Sequence, residues 1–365
     1  MNESNINRIY YIDFLRLLAL FYMFFQHTVL ALLKPEYNSG IILFLFDIVP
    51  ICPALFLFVS GFSISISINK TKYNDKKNLF LHLFKRGIIL IIFSSVLFFL
   101  ELGLQLPDIL ISSGILNTIG WMLIISSLII LLPQKKMITL FIIIILSCIF
   151  IIFEKFNIYI IPFNNGYEPM IPTIIFGFTG LLTGLLNNKF KDINKQKFYI
   201  TLILFTGIII FSIYLIKYGL FKVFHPTIGR YDIERTFQSY LVPLNLSKGI
   251  DYSDTFSVFI WNYKTNCFFA SLGFIFIIFG IFNFLEKLFK NNIFNYILLP
   301  GRYAFINYFY HLIIISIFVI IFNYNNFTTV FFIIFLFSLF VFSYVLSLIY
   351  LKIKKLKKIR TDHLI

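Results

Sequence analysis

The sequence predicts an all-α, polytopic membrane protein of about ten transmembrane helices. Three observations predict it. Hydrophobic residues make up 59% of the 365 and charged ones only 13%, too apolar a balance for an ordinary soluble globule. Apolar runs of about the 20 residues that a bilayer needs recur along the chain. Lys and Arg, which give a net charge of +15, cluster in short segments between those runs, as cytoplasmic loops do. The basic balance is therefore a topological signal, and no nucleic-acid role is expected.

Ten runs are centred on 9–33, 41–68, 79–100, 114–132, 137–153, 170–187, 198–217, 264–285, 302–322 and 329–351. Only a helix satisfies its own backbone in hydrocarbon, so each is expected to be helical. Every second connection is basic: "NKTKYNDKK" at 69–77, "PQKK" at 133–136, "NNKFKDINKQK" at 187–197, "EKLFKNN" at 286–292 and "KIKKLKKIR" at 352–360. The connections between them, such as "ELGLQLPD" at 101–108 and "NYNNF" at 323–327, are acidic, neutral or mixed. One orientation satisfies them all, with both termini cytoplasmic. The chain is expected to form a single domain over 1–365, with a basic cytoplasmic tail at 352–365 and a long outer loop at about 218–256. That loop carries His225, Arg230, Asp232, Glu234, Arg235, Asp251 and Asp254, either to bind a polar acceptor or as ordinary solvated charge. The first run is too long for a signal peptide and is expected to remain as the first span. Cys52, Cys148 and Cys267 lack metal-site or disulfide spacing and read as small buried residues. No metal is expected.

Ionisable residues inside spans are costly and mark function or pairing. The first span carries Asp13, Arg16 and His27. Asp13 and Arg16 are three apart near the inner edge, a spacing that also suits a local ion pair. His27 falls near the outer edge by helical rise. The second span enters from outside, which puts Asp47 at the same depth, beside a helix interrupted by Pro50 and Pro53. A carboxylate near a histidine can fix its tautomer and stabilise the imidazolium, and a histidine so held can act as a general base. Asn117, at the outer start of the fourth span, is placed either to orient the histidine, to bind substrate or to join helices. Ser60 and Gly61 allow close approach of another helix. Arg302 is expected at the cytoplasmic edge of the ninth span, and His311 about halfway in.

These segments resemble a known superfamily. "RIYYIDFLR", followed by a histidine 11 residues after Arg16, is similar to the opening of the transmembrane acyltransferases, which include the acyltransferase-3 family and the heparan-alpha-glucosaminide N-acetyltransferase-like proteins. "DIVPICPALFLFVSGFSISIS", "GILNTIGWMLIISS", "IPTIIFGFTGLLTGLL" and "LPGRYAFINYFYHL" resemble the second group, in order and over nearly the whole chain. Leu17 stands where that group usually has glycine, and Asn117 where histidine is common. The resemblance implies an acyltransferase that moves an acyl group, commonly acetyl from cytoplasmic acetyl-CoA, to an amine or hydroxyl of an outer glycan or lipid-linked sugar. It implies catalytic roles for His27, Asp47 and Asn117, the last as oxyanion donor. Arg16, Lys85, Arg86 and Arg302, with His311, are then expected to hold the anionic donor. Expected partners are membrane lipid, the glycan acceptor and a possible second copy of the chain, in a bacterial cytoplasmic (inner) membrane. The competing reading is a transporter or flippase for a glycan or small metabolite.

Overall fold

The computed structural model describes residues 9–34, 37, 40–42, 45, 51–69, 76–102, 108–111, 113–132, 138–145, 149, 170–190, 192–218, 265–286, 292–322 and 326–362. The described residues are 94% helical and contain no strand. In chain order the helices are α1 (Tyr10–Leu32), α2 (Ile51–Asn69), α3 (Lys76–Leu102), α4 (Asp108–Ile111), α5 (Ile115–Leu131), α6 (Met170–Lys189), α7 (Ile193–Tyr218), α8 (Thr265–Phe284), α9 (Asn292–Ile297), α10 (Leu299–Arg302), α11 (Ala304–Phe322) and α12 (Thr329–Asp362).

Among the described residues seven helices are long and apolar enough to cross a membrane: α1, α2, α3, α6, α7, α11 and α12. Two of the expected spans, at α5 and α8, are shorter apolar helices. Of the fifth expected span only 138–145 and 149 are described, all helical. The outer loop beyond Tyr218, the basic loop at 133–136, Asp47 and Pro50 lie outside the described residues.

The chain divides into two compact units, Met1–Cys52 with Ile281–Ile365, and Pro53–Gly280. In the first unit α1 is held at both ends. Gly301, buried in the short helix α10, lies so close to α1 that a Cβ there would collide with the Asp13 carbonyl and come within 2.8 Å of Leu17 N. The small residue that close approach needs is thus on the facing element, opposite Leu17. At the other end Phe327 N donates to Leu32 O at 2.7 Å and Lys34 N to Phe327 O at 3.1 Å. These bonds occupy a carbonyl that the end of α1 leaves without an intrahelical donor. Since α10 precedes α11 and Phe327 follows it, α1 and α11 run parallel. That is the sense which the alternating loops assign to those two segments.

The chain leaves helical geometry at Tyr303, between α10 and α11, yet the break is mended from within. Asn307 Nδ2 donates to Pro300 O at 3.1 Å, to Tyr303 O at 3.3 Å and to Ser347 Oγ of α12 at 3.0 Å. In hydrocarbon a freed carbonyl must find such a partner. Aromatic contacts fill the space between helices, among them Phe24 with Phe340 at 5.3 Å, Phe25 with Phe332 at 5.7 Å and Phe318 with Phe335 at 4.5 Å between ring centres.

The second unit is assembled on glycines. A Cβ on Gly87 of α3 would lie 2.7 Å from Gly120 O of α5, and one on Gly120 would lie 2.8 Å from Gly87 O. On α6, Gly177, Gly180 and Gly184 recur at intervals of three and four. Gly61, Phe58 and Ser65 of α2 press on that stripe, which accounts for Gly61 as expected. Gly207 of α7 and Gly273 of α8 repeat the reciprocal arrangement. Lipid tails are as apolar as leucine, so close backbone packing rather than water exclusion joins such helices.

Candidate active site

Asp13, Leu20, Phe24 and His27 fall at intervals of seven, four and three on α1 and share one face, with Arg16 near it. Arg16 Nη1 donates to Asp13 Oδ1 at 2.8 Å. Asp13 is 7% exposed and Arg16 28% at their side chains, so the pair carries two opposite charges into the unit together. The N-terminal end of the stripe is thereby an ion pair, and one guanidinium donor is already committed to it. Arg302 immediately follows Gly301, whose contact with Asp13 and Leu17 puts Arg302 at the level of Arg16.

At the other end of the stripe the His27 ring meets His311. Their centres are 5.3 Å apart and their planes cross at 63°. Phe24 lies 4.9 Å and Tyr308 5.5 Å from the same imidazole, centre to centre. His311 is 1% exposed, whereas His27 is half-buried. His311 Nδ1 sits 3.3 Å from Asn307 O. A carbonyl can only accept, so this contact is a hydrogen bond in the tautomer with the hydrogen on Nδ1, and in that tautomer the neutral ring presents a lone pair at Nε2. That Nε2 has no hydrogen-bond partner among the described residues, nor do Asn307 Oδ1 and Ser343 Oγ. All three residues line one narrow crevice with Phe24 and Leu339. Buried polar atoms are nearly always paired, so this cluster stands out.

The structure brings His311 level with His27, a partnership that its place in the span does not suggest. Counted from a cytoplasmic edge at Arg302, it lies halfway in. The reference level is displaced because Gly301 already sits beside Leu17, well inside α1. Ten residues beyond Gly301 is His311, and ten beyond Leu17 is His27, about 15 Å further along each helix. Asn307, Ser343 and Ser347 escaped the sequence reading altogether. Their signal was available: Asn307 and His311, and Ser343 and Ser347, are polar pairs at i, i+4 in otherwise apolar helices.

In the second unit Asn117 is fully buried at the first turn of α5. Its amide nitrogen donates to Leu110 O at 3.0 Å and to Ser113 Oγ at 2.9 Å. Both amide hydrogens fasten the α4–α5 turn, where Gly114 has φ 118°, a conformation that favours glycine. As an oxyanion donor Asn117 would first have to release one of them. Its buried Oδ1 is the atom without a partner among the described residues, and it can only accept. Lys85 and Arg86 are exposed on α3, in its third turn. Cys52 donates to Ala19 O at 3.1 Å, as a small buried residue does, while the Cys148 and Cys267 side chains lie outside the described residues. An apolar groove of about 600 Å³ between α11 and α12 has Asn326 and Ser338 as its polar side chains and carries no acid–base group.

Seven membrane-length apolar helices among the described residues and a contacting pair of imidazoles on two of them define an integral membrane protein with titratable groups inside its spans. Residues 8–218, more than half of the chain, match the family described as heparan-alpha-glucosaminide N-acetyltransferase, catalytic; the chain belongs to that family. Comparison with curated proteins gives no match. The family segment includes Arg16, His27, Asp47, Lys85, Arg86 and Asn117 and ends before Arg302 and His311.

Proposed function

We propose that the protein transfers an acyl group, acetyl in the first instance, from acyl-CoA on the cytoplasmic side to an amine or hydroxyl of a glycan or lipid-linked sugar on the outer side. The observation that carries this reading is the histidine at the end of an arginine-headed face of α1, inside the family segment, with a second imidazole against it. The family points to acetyl as the group and to glucosaminide as one acceptor class.

The chemistry follows from the residues. The acceptor nitrogen or oxygen attacks the thioester carbonyl carbon, His27 takes the proton it loses, the C–S bond breaks, and CoA leaves as a thiolate that is then protonated. Arg16 and Arg302, level with each other at the other end of the stripe, suit the phosphates of the donor. Lys85 and Arg86 take the same role by their place at the cytoplasmic start of the third span. Asp47 serves as counter-charge to the imidazolium. Asn117 serves as oxyanion donor only if an acceptor of its amide hydrogens gives way. The protein acts in a bacterial cytoplasmic membrane.

Mass analysis of surface glycans from cells with and without the protein tests the reading. Loss of an acetyl-sized increment supports transfer. Loss of whole glycans supports transport instead, the alternative that intramembrane ionisable residues leave standing.

A further inference from the structure

We infer that His311 fixes the tautomer of His27, so that the reacting base is a histidine pair rather than a single histidine. The inference rests on the acyl-transfer reading, and it changes the role of His311 from donor binding to positioning.

A neutral imidazole that is to accept a proton must turn a lone pair to the acceptor group. Its other nitrogen then carries hydrogen, and a buried N–H needs an acceptor. His311 supplies one of fixed polarity. With its hydrogen on Nδ1, which lies 3.3 Å from Asn307 O, His311 keeps a lone pair at Nε2, and that atom is buried without a partner among the described residues. The two rings are 5.3 Å apart between centres at 63°, a separation that an N–H···N bond spans when the nitrogen-bearing edges face each other. Phe24 and Tyr308 hold the His311 ring from the sides, and Asn307 is itself tied to Pro300 O, Tyr303 O and Ser347 Oγ. The acceptor is therefore rigid, and His27, half-buried, is the ring that turns to it. When His27 takes the proton of the attacking amine or hydroxyl, its existing N–H stays on the bond to His311 Nε2. No proton need leave the pair until the thiolate is protonated. Asp47 then contributes charge, and His311 contributes orientation.

The test uses the full chain, purified in lipid nanodiscs with ¹⁵N-labelled histidine. Nitrogen chemical shifts report which ring nitrogen of His27 is protonated, with His27→Ala used to assign its signals. His27 should occupy one neutral tautomer in the wild type, a mixture in His311→Leu, and one tautomer again in His311→Gln, whose carbonyl restores an acceptor. His311→Phe fills the ring's space without an acceptor and replaces the leucine variant should that one fail to fold. With acetyl-CoA and glucosamine, His311→Leu should lower kcat at least about tenfold, within the ~10⁴-fold loss that a wrong tautomer causes in a serine-protease triad. Both KM values should stay unchanged. A His27 tautomer that is mixed in the wild type, or unaffected by His311→Leu and His311→Phe, overturns the inference. So does a rise in the KM for acetyl-CoA at constant kcat, which would return His311 to donor binding. Full surface acetylation in cells carrying His27→Ala would instead remove the acyl-transfer role of His27 and leave the tautomer result intact, so the two failures are distinguishable.

Discussion

Gly301 packs on the backbone of α1 at Leu17, and this contact sets the register that brings His311 to His27. Each histidine lies ten residues beyond its partner in that contact, on parallel helices. A change at Gly301 is therefore felt at the far end of the pair, about 15 Å away along the helices.

Gly301→Ala should destabilise the protein and misalign the pair. The added Cβ meets backbone, the Asp13 carbonyl and Leu17 N, rather than the end of a flexible side chain. Overpacking of this kind typically costs about 1–3 kcal/mol. Thermal unfolding in detergent should show a lower midpoint, and turnover per folded molecule should fall as well. Unchanged turnover in the folded fraction would mean that the histidines do not depend on this register.

Arg16 is open to two outcomes that one pair of measurements separates. If it binds donor phosphate, Arg16→Ala should raise the KM for acyl-CoA and leave the acceptor KM alone. If it serves only Asp13, the same change takes the guanidinium from a carboxylate that is 7% exposed, and stability falls while both KM values hold. Among the described residues no ion pair involves Arg302, and Arg302→Ala should raise the donor KM with a smaller effect on unfolding. A rise in the acceptor KM in either variant would reverse the polarity assigned to the site.

Topology is checked with single cysteines in a variant lacking Cys52, Cys148 and Cys267. A cysteine in 218–256 should react with an impermeant thiol reagent on intact cells, and one in 187–197 should not. The reverse pattern would exchange the donor and acceptor sides.

Much of this architecture is legible in the sequence because hydrocarbon admits few solutions. Apolar runs locate helices, and the i, i+3 spacing of Asp13 and Arg16 forecasts the ion pair that forms. His27 is noticeable for the cost of a polar group in a span. The partnership with His311 is hidden because depth counted from a span's edge assumes an unbroken helix entering at that edge. Here α10 and its glycine set the level instead. Asn117 is ambiguous for a related reason: an amide near a helix start reads equally as a partner of the histidine, a substrate ligand or a link between helices, and its bonds to Leu110 and Ser113 are visible only once the α4–α5 turn is built.

The sharpest prediction concerns His27 itself. Positioned acid–base groups typically contribute about 10²–10⁴-fold in rate, so His27→Ala should lose at least about two orders of magnitude in acyl transfer while the protein still inserts. Asp47→Asn should lose less, because it removes charge stabilisation and leaves the base in place. If His27 only joins helices, the effects reverse: the midpoint of thermal unfolding falls, and turnover per folded molecule stays near the wild-type value. Both quantities are measured on the same purified variant, and a well-folded His27→Ala protein with wild-type turnover would remove His27 from the reaction.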